Sequence, residues 1–140
     1  MITIEIPRKP IAKKRPRFAR IGKFVQTYSD QETEEGRFLW ELRRQWKQAP
    51  MEIPLSLVCT FILPIPIGTS RKKTDLMARG IIFPNKKPDL DNFIKFSLDC
   101  MSGHVWRDDS QIIKIQAHKI YGQEPKTTIS IFPVLGNADP

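Results

Sequence analysis

Four aspartates stand in two short acidic clusters of the chain, within the sequences KPDLDNFIK and WRDDSQ. The first cluster contains Asp89 and Asp91, and the second contains Asp108 and Asp109. Carboxylate oxygens grouped in this way are the ligands that Mg²⁺ and Mn²⁺ prefer. Aspartates also serve as helix caps and turn residues, because they accept hydrogen bonds from free backbone amides. The spacing leaves a metal site and a structural role both open.

The first cluster is predicted to lie at the start of a helix. Apolar residues recur at helical spacing from about residue 90 to Met101, after a proline that disfavours helical backbone before it. In a cap position, the Asp89 carboxylate can turn toward Asp91, whereas inside a regular helix the two would point about 200° apart. Lys95 lies four residues after Asp91, where an i,i+4 ion pair is the ordinary alternative to a role in chemistry. Asp99 is expected on a solvated face.

The second cluster precedes a strand that is predicted from Gln111 to Tyr121. If the strand is regular from Trp106 onward, Asp109 lies on the apolar face that packs against the helices, and Asp108 points away. A bulge would reverse that assignment, and Asp-Asp-Ser also suits a turn.

A carboxylate on the inner face of a sheet needs a partner or a cation, because burial removes its hydration. Three clustered carboxylates repel one another unless a divalent ion compensates their charge. We therefore predict that Asp89, Asp91 and Asp109 meet around a metal ion.

The remaining pattern predicts one α+β (mixed α/β) domain, residues 1–140, in the order β-α-β-α-β-β, with helices packed on one small mixed sheet. A capping box, Ser29 to Glu32, is predicted to open the first helix. The other predicted elements are strand 2–6, helix 30–48, strand 55–63, a basic loop 67–87 with a short helix near 71–78, and strand 127–132.

The positive charge is concentrated in one segment. Residues 8–23 contain eight Lys and Arg and no acid, whereas the other 15 basic residues balance the 15 acids of the chain, whose net charge is +8. Such a segment is suited to phosphate contact; a solvated tail and a targeting signal are the alternatives. We expect a basic arm over residues 8–26, irregular to about Gln26, with Phe18 and Phe24 available to stack on bases.

Several classes of protein are disfavoured. Cys59 and Cys100 stand in unrelated contexts without a CxxC motif, which argues against a zinc site. The chain begins without the pattern of a signal peptide, and its longest apolar stretch, LVCTFILPIPIG, is broken by prolines. A cytoplasmic protein is therefore expected.

The run KPDLDNFIK, followed by WRDDSQI and by the lysine and tyrosine of KIY, resembles the RusA family of Holliday-junction resolvases. These are small endodeoxyribonucleases common in phages and prophages. The resemblance implies a homodimer that cuts four-way DNA junctions by paired Mg²⁺-dependent nicks, with Mn²⁺ able to substitute, in DNA recombination and repair. It implies that Asp89, Asp91 and Asp109 are catalytic and bind the metal, and that Lys95 is catalytic.

Basic residues of the arm and of the loop are the expected DNA contacts. They are Lys13, Lys14, Arg15, Arg17, Arg20, Lys72, Lys73, Lys86 and Lys87. A flap or branch nuclease of relaxed selectivity is one alternative. A non-catalytic nucleic-acid-binding phage regulator with the same fold is the other, but it gives no reason for three carboxylates near a phosphate-binding surface.

Overall fold

The computed structural model describes residues 1–14, 17–28 and 31–136 of the chain. Its elements follow the order β1 (Ile2–Ile6), β2 (Arg17–Ile21), β3 (Phe24–Tyr28), α1 (Glu32–Gln45), β4 (Leu55–Pro64), α2 (Arg71–Ala78), α3 (Leu90–Met101), β5 (Ile112–Gly122) and β6 (Lys126–Pro133). The fold is α+β, as predicted. None of the helices in these described ranges is long and apolar enough to cross a membrane.

One mixed sheet carries the helices, with strand order β1-β6-β4-β5. Strand β6 is antiparallel to both β1 and β4, whereas β5 is parallel to β4. Every second residue of β4, from Leu55 to Leu63, is buried. A parallel pair needs a crossover connection, and α2 and α3 lie within it. The crossover brings the segment that carries both acidic clusters back onto the sheet.

Aromatic contacts fix α3 on the core. Phe93 and Phe96 are each 1% exposed. The ring of Phe93 stacks on Phe61 of β4 at 5.3 Å between centroids, and Phe96 meets Phe38 of α1 edge to face at 6.0 Å. Because α3 is anchored both to the sheet and to α1, its two ends have fixed positions.

The basic arm is more ordered than predicted. Residues 17–28 form an antiparallel hairpin, β2–β3, around Gly22 and Lys23, and Gly22 has a φ of +61° that glycine adopts without strain. The prediction of an irregular segment to about Gln26 is therefore wrong. Both strands are only five residues long, and β2 contains two arginines, so neither has a clear hydrophobic pattern. Cross-strand hydrogen bonds between the two backbones stabilise the hairpin instead.

The helices lie where they were predicted, but their first and last residues differ from the predicted bounds by a few positions. The short helix expected near 71–78 is confirmed as α2, and Ser70 caps it by accepting a hydrogen bond from the Lys73 amide at 3.2 Å. Helix α1 begins at Glu32 with Gln31 as its N-cap residue. The predicted capping residue Ser29 lies outside the described residues.

Candidate active site

The start of α3 presents two exposed carboxylates. Asp89 occupies the N-cap position with extended backbone (φ −72°, ψ 147°), yet its side chain makes no capping hydrogen bond. Asp91 lies in the first turn and is exposed. The Asp89 side chain is 53% exposed and lies 3.8 Å from the ammonium of Lys87. Since the helix end does not use the Asp89 carboxylate, it is available to a ligand.

A lysine from the sheet holds the loop in front of Asp89. Lys119 of β5 donates from Nζ to the backbone oxygens of Lys86, at 2.7 Å, and of Pro88, at 2.9 Å. Lys119 pairs in register with buried Phe61 of β4, so it extends from the side of the sheet that carries the helices. The sequence motifs predict no structural role for Lys119. The available signal is its alternation with Ala117 and Tyr121, which pack against the core.

Asp108 has a structural role in the second cluster. Its carboxylate accepts a hydrogen bond from the Ser110 amide at 2.9 Å, and its own amide donates to Gln111 Oε1 at 2.9 Å. Together these bonds form a capping box for the 3₁₀ turn Asp109–Gln111. The side-chain hydrogen bond from Ser110, and then the bond from its backbone amide, lower the pKa of Asp108. Turn chemistry therefore accounts for one of the two carboxylates.

Asp109 has a different environment. It is half-buried, and its Oδ1 accepts a hydrogen bond of 2.8 Å from Nε1 of Trp106, which is fully buried. The predicted strand does not extend back to this position, because Asp109 lies in the 3₁₀ turn. The alternation is broken again at Ile113, where the register with β4 shifts. The regular strand expected at Asp109 is therefore wrong, but Asp109 still faces the helices, because it lines a cavity together with residues of α1 and α3.

Asp109 opens onto a cavity of about 380 Å³ beside the C-terminal part of α3. Asp99 lines the same cavity and lies 3.1 Å from the ammonium of Lys13 and 3.1 Å from that of Lys95. The expectation that Asp99 occupies a simple solvated face is wrong. Lys95 pairs with Asp99, one turn after it in the helix, and not with Asp91, the partner considered for it, which lies one turn before it.

The three predicted metal-binding carboxylates are divided between the two ends of α3. Asp89 precedes the first turn, whereas Asp99, beside Asp109 in the cavity wall, lies ten residues further on, about 15 Å along the helix axis. Within the part of the chain that the structure describes, no three His, Cys, Asp or Glu side chains are grouped so that they could hold a metal ion. A single copy of the chain therefore does not bring Asp109 to Asp89 and Asp91.

The predicted DNA contacts have unequal exposure. Lys13 is only 26% exposed in its side chain, and its amide donates to the Asn92 oxygen of α3 at 2.8 Å. Arg15 lies outside the described residues, and Arg17 begins β2. The exposed members of the set are Lys14, Arg20, Lys72, Lys73, Lys86 and Lys87. Lys86 and Lys87 lie two and three residues before Asp89, so their exposed positive charge is close in the chain to the carboxylates of the first cluster.

Comparisons with known proteins agree with the pattern of residues. A family model described as endodeoxyribonuclease RusA matches residues 7–132. A segment of 80 residues is 31% identical to YqaN, an uncharacterized protein of Bacillus subtilis (strain 168). That segment covers 56% of this chain and 56% of the B. subtilis protein, so the similarity extends over about half the length of this relative.

Proposed function

Because this chain belongs to the RusA endodeoxyribonuclease family, we propose that it cuts four-way (Holliday) DNA junctions by paired nicks that depend on Mg²⁺. The observation that carries the proposal is the extent of the family match, residues 7–132, which includes the basic arm, both acidic clusters and the lysine strand. The substrate, the paired nicks, the metal and the roles in recombination and repair are parts of the proposal.

Asp89, Asp91 and Asp109 are the proposed metal-binding residues, and Lys95 is the proposed charge-stabilising residue. All three acidic ligands offer oxygen, which suits Mg²⁺ and allows Mn²⁺ to substitute. Such an ion supplies an activated water and charge neutralisation to phosphodiester hydrolysis. The fit within one copy is incomplete, because the helix separates Asp109 from the other two. Asp89 and Asp91 are the two proposed ligands that lie at the same end of α3.

Branched DNA is the proposed partner because positive charge surrounds the first cluster. Lys86 and Lys87 are exposed, and the side chain of Lys87 is 89% exposed. Carboxylates beside these lysines would weaken phosphate binding unless a cation offset their charge. Binding through such contacts predicts an affinity for junction DNA that falls as salt rises.

Cleavage of a synthetic four-way junction in Mg²⁺ tests the proposal. We expect the native protein to produce paired nicks. Asp91→Asn and Asp109→Asn should each reduce the rate on the order of 100-fold or more, because charge at the scissile phosphate loses its compensation. Asp108→Asn is the matched control, since the turn uses that carboxylate, and it should retain cleavage. Abundant product from Asp91→Asn, or none from the native protein, would contradict the proposal.

Linear and flap substrates assayed beside the junction measure selectivity. Equal rates on all three would support a branch nuclease of relaxed selectivity. A protein that binds the junction, releases it as Mg²⁺ is raised and never nicks it would be a non-catalytic binding protein.

A further inference from the structure

Lys95, the proposed charge-stabilising residue, lies between two carboxylates along one side of α3. Asp91 precedes it by four residues, and Asp99 follows it by four. Local helix geometry favours Asp91, because side chains lean toward the N-terminus of a helix and because an acid four residues before a lysine makes the stronger pair. A helix that followed these local rules alone would place the Lys95 ammonium on Asp91.

The structure places the Lys95 ammonium on the other carboxylate. Its Nζ lies 3.1 Å from Oδ1 of Asp99, and Asp91 takes part in no ion pair among the residues that the structure describes. The cavity onto which Asp109 opens accounts for this choice. Three carboxylates (Glu35, Asp99, Asp109) and one ammonium line it, so their formal charges sum to −2. Asp99 is 28% exposed in its side chain, so water screens its attraction for Lys95 less than it would at the exposed Asp91.

Lys13 fixes the orientation of the Asp99 carboxylate. The two ammonium groups use different oxygens, since Lys13 lies 3.1 Å from Oδ2 and Lys95 lies 3.1 Å from Oδ1. The backbone of Lys13 is itself fixed, because its amide donates to the Asn92 oxygen of α3 at 2.8 Å. The residues on both sides of Lys13 are held by hydrogen bonds to the buried side chain of Gln31. The Asp99 carboxylate therefore presents Oδ1 to Lys95 from a fixed position.

We propose that Asp99 is a positioning residue that holds the ammonium of Lys95 beside the cavity of Asp109, and that Lys13 orients Asp99. The proposal rests on the proposed nuclease function for the part that Lys95 plays in the reaction. Positioning keeps the ammonium away from the first acidic cluster, so the Asp91 carboxylate stays available to a cation. It also gives the Lys13 ammonium a partner within the protein, in contrast to the DNA contact expected from the basic arm.

A double-mutant cycle measured by junction cleavage tests the positioning role. Asp99→Asn should lower kcat about 10–100-fold, as the loss of an orienting partner does, and leave the KM for the junction close to the native value. In the Lys95→Met background there is no ammonium to position, so Asp99→Asn should cause no further loss. A merely structural role of Asp99 would slow both backgrounds alike, and such additive losses would overturn the proposal.

The salt dependence of DNA binding distinguishes the two roles considered for Lys13. Lys13→Met should leave that dependence unchanged and slow cleavage as Asp99→Asn does. Lys14→Met is the matched control, because Lys14 is the next residue and its side chain is 60% exposed. As an expected phosphate contact, Lys14 should lower the slope of log affinity against log salt by about 0.9 when it is removed. A change of that size in Lys13→Met, with native cleavage of bound junction, would show that Lys13 contacts DNA and does not orient Asp99.

Chemical cross-linking locates the Lys95 ammonium without any cleavage of DNA. A water-soluble carbodiimide joins paired amines and carboxylates as amides, which peptide mass spectrometry identifies. The native protein should link Lys95 to Asp99, whereas Asp99→Asn should link Lys95 to Asp91. A dominant link between Lys95 and Asp91 in the native protein, or no such link after the substitution, would contradict the proposal. The expected links in a native protein that fails to cut junctions would reject the nuclease function alone.

Discussion

The hydrogen bond between Trp106 and Asp109 can be removed with little change in shape by Trp106→Phe. The indole Nε1 donates to Oδ1 at 2.8 Å, and Trp106 is 0% exposed. A hydrogen bond to a charged acceptor contributes about 1.5–3 kcal/mol, and its loss leaves a half-buried carboxylate without its donor. The substitution also removes part of a buried ring, so a control is needed for the loss of packing.

Trp46→Phe is that control. Trp46 is 7% exposed, and its indole nitrogen has no hydrogen-bond partner among the described residues. Both substitutions remove the same atoms, but only Trp106→Phe removes a hydrogen bond. We therefore expect the free energy of unfolding to fall further in Trp106→Phe, by about 1.5–3 kcal/mol relative to Trp46→Phe. In urea unfolding this difference corresponds to a midpoint lower by roughly 1 M.

The rate of junction cleavage distinguishes an effect on the orientation of Asp109 from an effect on the stability of the fold. If Trp106 orients Asp109, Trp106→Phe should slow junction cleavage about 10–100-fold at a temperature where it is fully folded, as the loss of an orienting partner does at metal sites. Trp46→Phe should cleave at the native rate. Equal unfolding midpoints and equal cleavage rates for the two variants would refute the assigned role of the Trp106 hydrogen bond.

Four further outcomes are expected. Burial raises the pKa of Cys59 and of Cys100 to about 12, so a thiol reagent at pH 8 should label the unfolded protein and not the native one; rapid native labelling would contradict this burial. Because unfolded thiols ionise from about pH 9 while the folded thiols stay protonated, the free energy of unfolding should fall between about pH 9 and 12 in chemical denaturation, less so in Cys59→Ala. Gly122→Ala would place a Cβ 2.5 Å from Ile62 Cγ2, so it should destabilise the protein by about 1–3 kcal/mol; an unchanged melting temperature would show that the strand end yields. Lys119→Met should slow cleavage about 10–100-fold with junction binding retained, because the loop before the first cluster loses its two hydrogen bonds; native cleavage by this variant would show that the loop holds its own shape.

Periodic patterns predicted the elements that pack on the core. Helix α3 is found where apolar spacing placed it, with Asp89 at its cap, because its stripe of phenylalanines has one way to be buried. The β2–β3 hairpin was missed since both strands have only five residues and two of those in β2 are arginines. Backbone pairing, which is not visible in hydrophobic periodicity, produces it.

The geometry of the second cluster depended on contacts from distant parts of the chain. The turn around Asp109 is held by Gln111, which donates to backbone oxygens at Met51 and Ile53. Contacts that span nearly sixty residues are not contained in a local pattern. The sequence pattern predicted that Asp89, Asp91 and Asp109 meet, because it does not fix the direction in which the chain continues after the twelve residues of α3.

The location of Mn²⁺ in crystals of the protein tests the central claim most directly, because the anomalous signal identifies the coordinating side chains. We predict a peak bound by the carboxylates of Asp89 and Asp91 at the start of α3. A protein that cuts junctions in solution, yet shows its Mn²⁺ bound away from all three aspartates, would contradict the assignment of these carboxylates as the metal site.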